Sequence, residues 1–229
     1  MRKLLIFGGG VLTLFVIVFM FINYYLYKDL FYQFKPAIKV EKIVVNSDKD
    51  KDGISDPDDI LEGARKEIKN HTTYKSAYYS GGYPPENEGV CTDVIWRAFK
   101  NAGYDLKYVM DKDIKQNLKD YSGSIEKPDP NIDFRRVKNQ YVFLKKYASN
   151  LTLEVIPNNK SNLIQWQRGD IVVLANHIAI VSDKRRKDGV PYIIHNAETF
   201  PMEQDRLLKW FNEKKILGHF RVIETKVFR

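Results

Sequence analysis

Gly81-Gly82-Tyr83-Pro84-Pro85-Glu86-Asn87-Glu88-Gly89-Val90-Cys91-Thr92-Asp93-Val94-Ile95-Trp96-Arg97-Ala98-Phe99-Lys100-Asn101-Ala102-Gly103-Tyr104 opens as a loop and continues as a helix. The glycines and the Pro-Pro pair forbid a regular element before Gly89. From Cys91 onward, Val94, Ile95, Ala98, Phe99 and Ala102 fall on one face of a 3.6-residue period. Gly103 stands where a helix C-terminal glycine belongs. Cys91 is thus expected in the first turn of a helix, in line with its buried stripe. The unpaired N–H groups and positive dipole end there favour a thiolate, the form in which cysteine acts as a nucleophile. The alternative is a small buried core thiol.

Downstream, Trp166-Gln167-Arg168-Gly169-Asp170 is a turn that feeds the apolar strand Ile171 to Ala175. In His177-Ile178-Ala179-Ile180-Val181-Ser182, strict alternation puts His177, Ala179 and Val181 on one face. Asp183 to Gly189 makes a turn, and Tyr192-Ile193-Ile194-His195-Asn196 returns as another strand. A hairpin centred on Arg186 would set His177 opposite His195, with Cβ atoms about 5 Å apart. A slip of one residue would put them on opposite faces. Between these blocks, Asp105 to Tyr121 reads as helix and loop, and Lys127-Pro128-Asp129-Pro130 as a break. Arg135 to Tyr147 reads as helical towards its end, and Leu151 to Ile156 as a strand. The end reads as a polar helix (Met202 to Lys214) and a strand (Ile216 to Val227).

Upstream, a strand-like run from Ile38 to Val45 precedes Asp48-Lys49-Asp50-Lys51-Asp52-Gly53-Ile54-Ser55-Asp56-Pro57-Asp58-Asp59. Counting from Asp48, carboxylates occupy positions 1, 3, 5, 9 and 12, with glycine at 6. That is the ligand spacing of a calcium loop, with a backbone carbonyl from Ile54 at position 7. The expected ligands of a structural Ca2+ are therefore Asp48, Asp50, Asp52, Ile54, Asp56 and Asp59. Position 12 is Asp, as in dockerin and thrombospondin type 3 loops, which it resembles, and not the Glu of an EF-hand. An acidic linker with an Asp helix cap is the alternative. A helix is expected from Ile60 to about Lys69.

At the N-terminus, Met1-Arg2-Lys3 precedes an apolar run from Leu4 to about Leu26, long enough to span a bilayer as a helix. Tyr24, Tyr25, Tyr27, Phe31 and Tyr32 suit the membrane interface, and Arg2 and Lys3 favour a cytoplasmic N-terminus. No small-x-small cleavage site follows. The expected organisation is an anchor over 1–27, a membrane-proximal linker over 28–47, a calcium loop over 48–59 and a hydrolase domain over 60–229. The expected location is a single-pass membrane protein with its main domain outside the cytoplasm.

The formal net charge of +8 suits an anionic partner. Lys184-Arg185-Arg186-Lys187 is short, flanked by Asp183 and Asp188, and reads as a solvated turn, so nucleic acid is not an expected partner. One cysteine excludes an intramolecular disulfide and a Cys-rich zinc site. Cys91, His177 and His195 form a set with assignable roles: nucleophile, base, and the partner that fixes the base's tautomer. The Cys91 backbone N–H is a ready oxyanion donor. Asn196 competes with His195 for the third role, and His71 and His219 read as structural.

A cysteine opening a helix, Gly169-Asp170 with its apolar strand, His177 to Val181, and Ile193-Ile194-His195-Asn196-Ala197 together resemble the NlpC/P60 papain-like hydrolases. The Gly-Gly-Tyr-Pro-Pro…Gly-Val-Cys-Thr-Asp block, the block from Pro128 to Arg136 and the two histidine strands resemble, more closely, the DUF1287 family. The resemblance implies an α+β, papain-like fold with the cysteine helix packed on an antiparallel sheet. It also implies Cys91 as nucleophile, His177 as base and His195 as orienting residue. Val90-Cys91-Thr92-Asp93 departs from the usual Asp-Cys-Ser-Gly of NlpC/P60. The function so implied is a cysteine peptidase or amidase, acting on peptidoglycan stem peptides or another anionic envelope component, with no cofactor for catalysis. Two rivals differ in kind: a non-catalytic wall- or lipid-binding module that keeps the cleft, and a calcium-dependent adhesion or scaffold protein.

Overall fold

The structure is a computed structural model that describes residues 13–24 and 36–222. Ile38–Arg229 form one compact unit, and Met1–Ala37 a separate one. In the latter, the described residues 13–24 are helical. Twelve residues at about 1.5 Å each reach about 18 Å, against a hydrocarbon core of about 30 Å. Among the described residues no helix is long and apolar enough to cross a membrane. The expected transmembrane helix, and the single-pass membrane location built on it, are corrected accordingly. The remaining parts of the expected anchor, 1–12 and 25–27, lie outside the described residues, as does the expected last strand beyond 222.

The main unit is α+β. A first helix, α1 (Asp56–Lys69), packs against α2 (Cys91–Asn101), which follows two short paired strands, β1 (Thr73–Tyr74) and β2 (Glu88–Gly89). Then come α3 (Leu106–Gln116), α4 (Val137–Tyr147), β3 (Ser149–Asn150) and the single turn α5 (Lys160–Leu163). The rest is β4 (Ile171–Leu174), β5 (Ile178–Arg185), β6 (Pro191–His195), β7 (Met202–Gln204), α6 (Leu207–Asn212) and β8 (Ile216–Arg221). Six of these strands form one antiparallel sheet in the order β3-β8-β4-β5-β6-β7.

The sheet divides two cores, as the period-2 pattern dictates. Ile171, Val173, Ile178, Ile180 and Ile194 face the helices and pack with Cys91, Val94, Ile95, Ala98 and Phe99. Val172, Leu174, Ala179, Val181 and Ile193 face the other way, onto Leu163, Trp166 and Leu207. The cysteine helix therefore lies on an antiparallel sheet. α1 approaches it so closely that a Cβ at Gly63 would meet Ala98 Cα at 2.7 Å. Gly103 ends α2 with φ +75°, the left-handed cap its position foretold.

Several expected elements differ. Ile38 to Val45 is not a strand, although Ile38 N–H donates to Lys187 O at 2.8 Å. The expected strand at 151–156 is also absent; its pairing occurs two residues earlier, at β3. Met202 to Lys214 splits into an edge strand and a six-residue helix. α1 begins at Asp56, with Pro57 in its first turn, where proline loses no hydrogen bond.

Candidate active site

Asp93, in the first turn of α2, fixes the cysteine loop. Its carboxylate accepts the Val90 N–H at 2.7 Å and the Trp96 indole N–H at 2.8 Å. Arg135 grips both oxygens, Nε to Oδ1 at 2.7 Å and Nη2 to Oδ2 at 2.8 Å, with both side chains almost wholly buried. Thr92 Oγ1 donates to Arg135 O at 2.8 Å. The Thr92-Asp93 and Phe134-Arg135 pairs, distant in sequence, thus form one structural unit. Cys91 sits at the first helical position, 7% exposed.

Two opposed effects act on the Cys91 thiol. Burial penalises the thiolate most, while the backbone N–H groups of Ile178 and Thr92 favour it. Burial prevails and pushes the thiol up to about 11. The expectation of a thiolate at a helix start is thus half met: the donors are there, but the site is too dry.

His177 and His195 come together. His177 Nε2 lies 2.8 Å from His195 Nδ1, with the rings edge to face. The register is Ile180↔Ile194 and Val181↔Ile193, two residues from the alignment centred on Arg186. An even displacement preserves the face, so the pairing survives it. The pairing next to the turn, Arg185↔Pro191, is centred on Asp188, four residues from that alignment, and the irregularity between Val181 and Arg185 takes back two. Trp210, from α6, lies edge-on to both rings.

The hydrogen bonds fix the tautomers. Arg206 Nε–H donates to Gln204 Oε1 at 3.2 Å, which identifies that atom as the oxygen. His195 Nε2 lies 3.2 Å from the same oxygen and must carry its proton. His195 Nδ1 is then an acceptor, so His177 Nε2 donates to it, and His177 Nδ1 keeps its lone pair. No hydrogen-bond partner for Nδ1 occurs among the described residues. Burial, then the neighbouring His195, lower His177 to about 4. Burial also lowers His195, against the opposing bond to Gln204.

Cys91 and His177 belong to different sides of the sheet: the thiol packs in the helix-side core, whereas Ala179 and Val181, which alternate with His177, pack in the other. At the start of β5 the Ile178 N–H reaches the Cys91 sulfur. No hydrogen bond joins Cys91 to His177. Asn196 is fully buried and donates to Thr72 O at 3.3 Å and Gly89 O at 3.2 Å, so His195, not Asn196, is the residue that touches His177.

Sequence reasoning missed Gln204, Arg206 and Trp210, because 202–214 reads as one polar helix. The alternation Met202-Glu203-Gln204 was the available signal. It missed Tyr74 too, whose hydroxyl is raised by burial and by the charge of Cys91. His219 is structural as expected. It is buried, stacked on Trp166 at 3.6 Å, and bonded to Asp170 Oδ2 at 3.0 Å.

In the acidic loop, Asp48, Asp50 and Asp52 gather, each with a carboxylate oxygen within 4.8 Å of the others. Gly53 N–H donates to Asp48 Oδ2 at 2.9 Å and Ile54 N–H to Asp52 Oδ1 at 2.8 Å. The Asp56 carboxylate accepts the Lys49 N–H at 2.8 Å and the Tyr104 hydroxyl. Asp59 is buried, and burial together with Asp52, Asp50 and Asp56 pushes its carboxyl up to about 6.

The family described as Domain of unknown function (DUF1287) matches residues 61–222. The Uncharacterized protein YijF of Escherichia coli (strain K12) is 35% identical over 173 residues, covering 71% of this chain and 80% of that protein. No solved structure matches the chain. The matched segment holds the cysteine helix, both histidine strands and the Asp93–Arg135 clasp, and the chain belongs to the DUF1287 family.

Proposed function

We propose that this protein is a thiol hydrolase that cleaves an amide bond in a peptide, with Cys91 as nucleophile, His177 as general base and His195 as its orienting partner. The observation that carries the proposal is the directed chain Gln204–His195–His177, which leaves a single unprotonated nitrogen, His177 Nδ1. A base held in one tautomer by a second polar group is the arrangement that nucleophilic catalysis needs. The sulfur attacks the carbonyl carbon as its proton passes to His177 Nδ1. The carbon–nitrogen bond breaks, and His177 returns the proton to the departing amine. Water then hydrolyses the thioester and restores the thiol.

The shifted proton affinities support a neutral thiol and a neutral imidazole at rest, so the proton moves during attack and not before it. The Cys91 N–H, in the first turn of α2, has no intrahelical acceptor and serves as oxyanion donor. Peptidoglycan stem peptides are the substrate class we propose, in line with the NlpC/P60 resemblance and the net charge of +8. Incubation with stem peptides, read by mass spectrometry, tests this: the wild type releases a new amine, Cys91→Ala releases none, and His177→Ala is slower by about 10²–10⁴-fold.

One observation favours a second reading, a binding module without turnover: the thiol is 7% exposed and held protonated. Under that reading stem peptides bind, no product forms, and Cys91→Ala binds as tightly as the wild type.

A further inference from the structure

We infer that the loop from Asp48 to Asp59 is a calcium site that braces the far end of the cysteine helix. Oxygens bound to one Ca2+ lie about 2.3–2.6 Å from it, so any two are at most about 5 Å apart. The oxygens of Asp48, Asp50 and Asp52, within 4.8 Å of one another, meet that limit.

Three exposed acids alone do not make a site. The independent observation is Asp59, which is 2% exposed and whose Oδ2 has no hydrogen-bond partner among the described residues. Buried polar atoms are nearly always satisfied, and buried charges are paired or bind metal. Asp59 and the trio are held at the same end of α2, Asp59 by the Asn101 bond to its carbonyl and Asp50 against Gly103. A divalent cation bound there offsets the acidic charge and gives Asp59 Oδ2 its partner. Position 7 of the spacing adds the Ile54 carbonyl. An all-oxygen set without His or Cys suits Ca2+ and not Zn2+.

The loop is fastened to α2. Asn101 Nδ2 donates to Asp59 O at 2.8 Å, and a Cβ at Gly103 would strike Asp50 Cβ at 2.9 Å. Order in the loop is thereby passed to the helix that carries Cys91.

The test is calorimetric titration of the full chain, stripped with EDTA, with CaCl2, alongside thermal melting with and without the ion. The wild type is expected to bind one Ca2+ saturably and to melt several degrees higher with it. Asp50→Asn and Asp59→Asn are expected to weaken binding at least tenfold while melting in EDTA no lower than the wild type, because each relieves repulsion. Absence of saturable Ca2+ binding in the millimolar range overturns the inference, as does Ca2+ affinity unchanged in Asp50→Asn. Both readouts are independent of hydrolytic activity.

Discussion

Arg135 holds both carboxylate oxygens of Asp93, two residues beyond Cys91, in a pair that water hardly reaches. The pair also secures Val90 and Trp96 through Asp93, and Ala77 through the Arg135 Nη1 bond at 2.9 Å. It sets where the cysteine loop ends and the helix starts.

Truncating one member of such a pair strands a buried charge. Arg135→Met is expected to lower stability by about 3–5 kcal/mol, measured by urea denaturation. The double variant Arg135→Met/Asp93→Asn is expected to recover part of that loss, since no lone charge remains.

The approach of α1 to α2 gives a second expectation. Gly63→Ala places a methyl at 2.7 Å from both Ala98 Cα and Asn101 Cβ. Overpacking is expected to outweigh the better helix propensity of alanine, with a net loss of about 1–3 kcal/mol in the same denaturation experiment.

Stability should also report on His177. Its folded proton affinity is depressed to about 4 from an ordinary 6.5. Between those values the unfolded chain binds the proton and the folded chain does not, so stability falls as pH drops through that window. His177→Gln is expected to flatten this fall, measured as the midpoint of urea unfolding between pH 7 and 4.

Gln204→Glu tests the tautomer chain. A carboxylate in place of a neutral oxygen favours protonated His195 and, through it, alters the proton affinity of the pair. The acid limb of any Cys91-dependent rate is expected to move up by about one unit. A merely structural Gln204 would change the amplitude and leave the limb in place.

The cysteine helix was legible because its apolar stripe and closing glycine are local properties, set by period and cap. The histidine pair was legible as to face, since alternation alone decides it. Its register was not, because alternation reveals neither that the turn is centred on Asp188 nor that the pairing is irregular between Val181 and Arg185. Gln204 and Trp210 were hidden because a three-residue edge strand and a six-residue helix are too short for either period to emerge. The thiol's proton affinity was misjudged for a related reason: the helix start is visible in sequence, but the degree of burial is not. The apolar run at the N-terminus led to an anchor that the described helix, over 13–24, does not support.

The central claim is that Cys91 is a nucleophile served by His177. Its most direct test is the rate of Cys91 alkylation by iodoacetamide in the native protein, across pH, for wild type and His177→Ala. The native wild type is expected to react at neutral pH at a rate lost on acidification with a midpoint near 4. His177→Ala should react at least tenfold more slowly at pH 7 and recover only as pH approaches 11. A Cys91 that stays unreactive in both proteins until denaturant is added would contradict the claim and identify it as a core thiol.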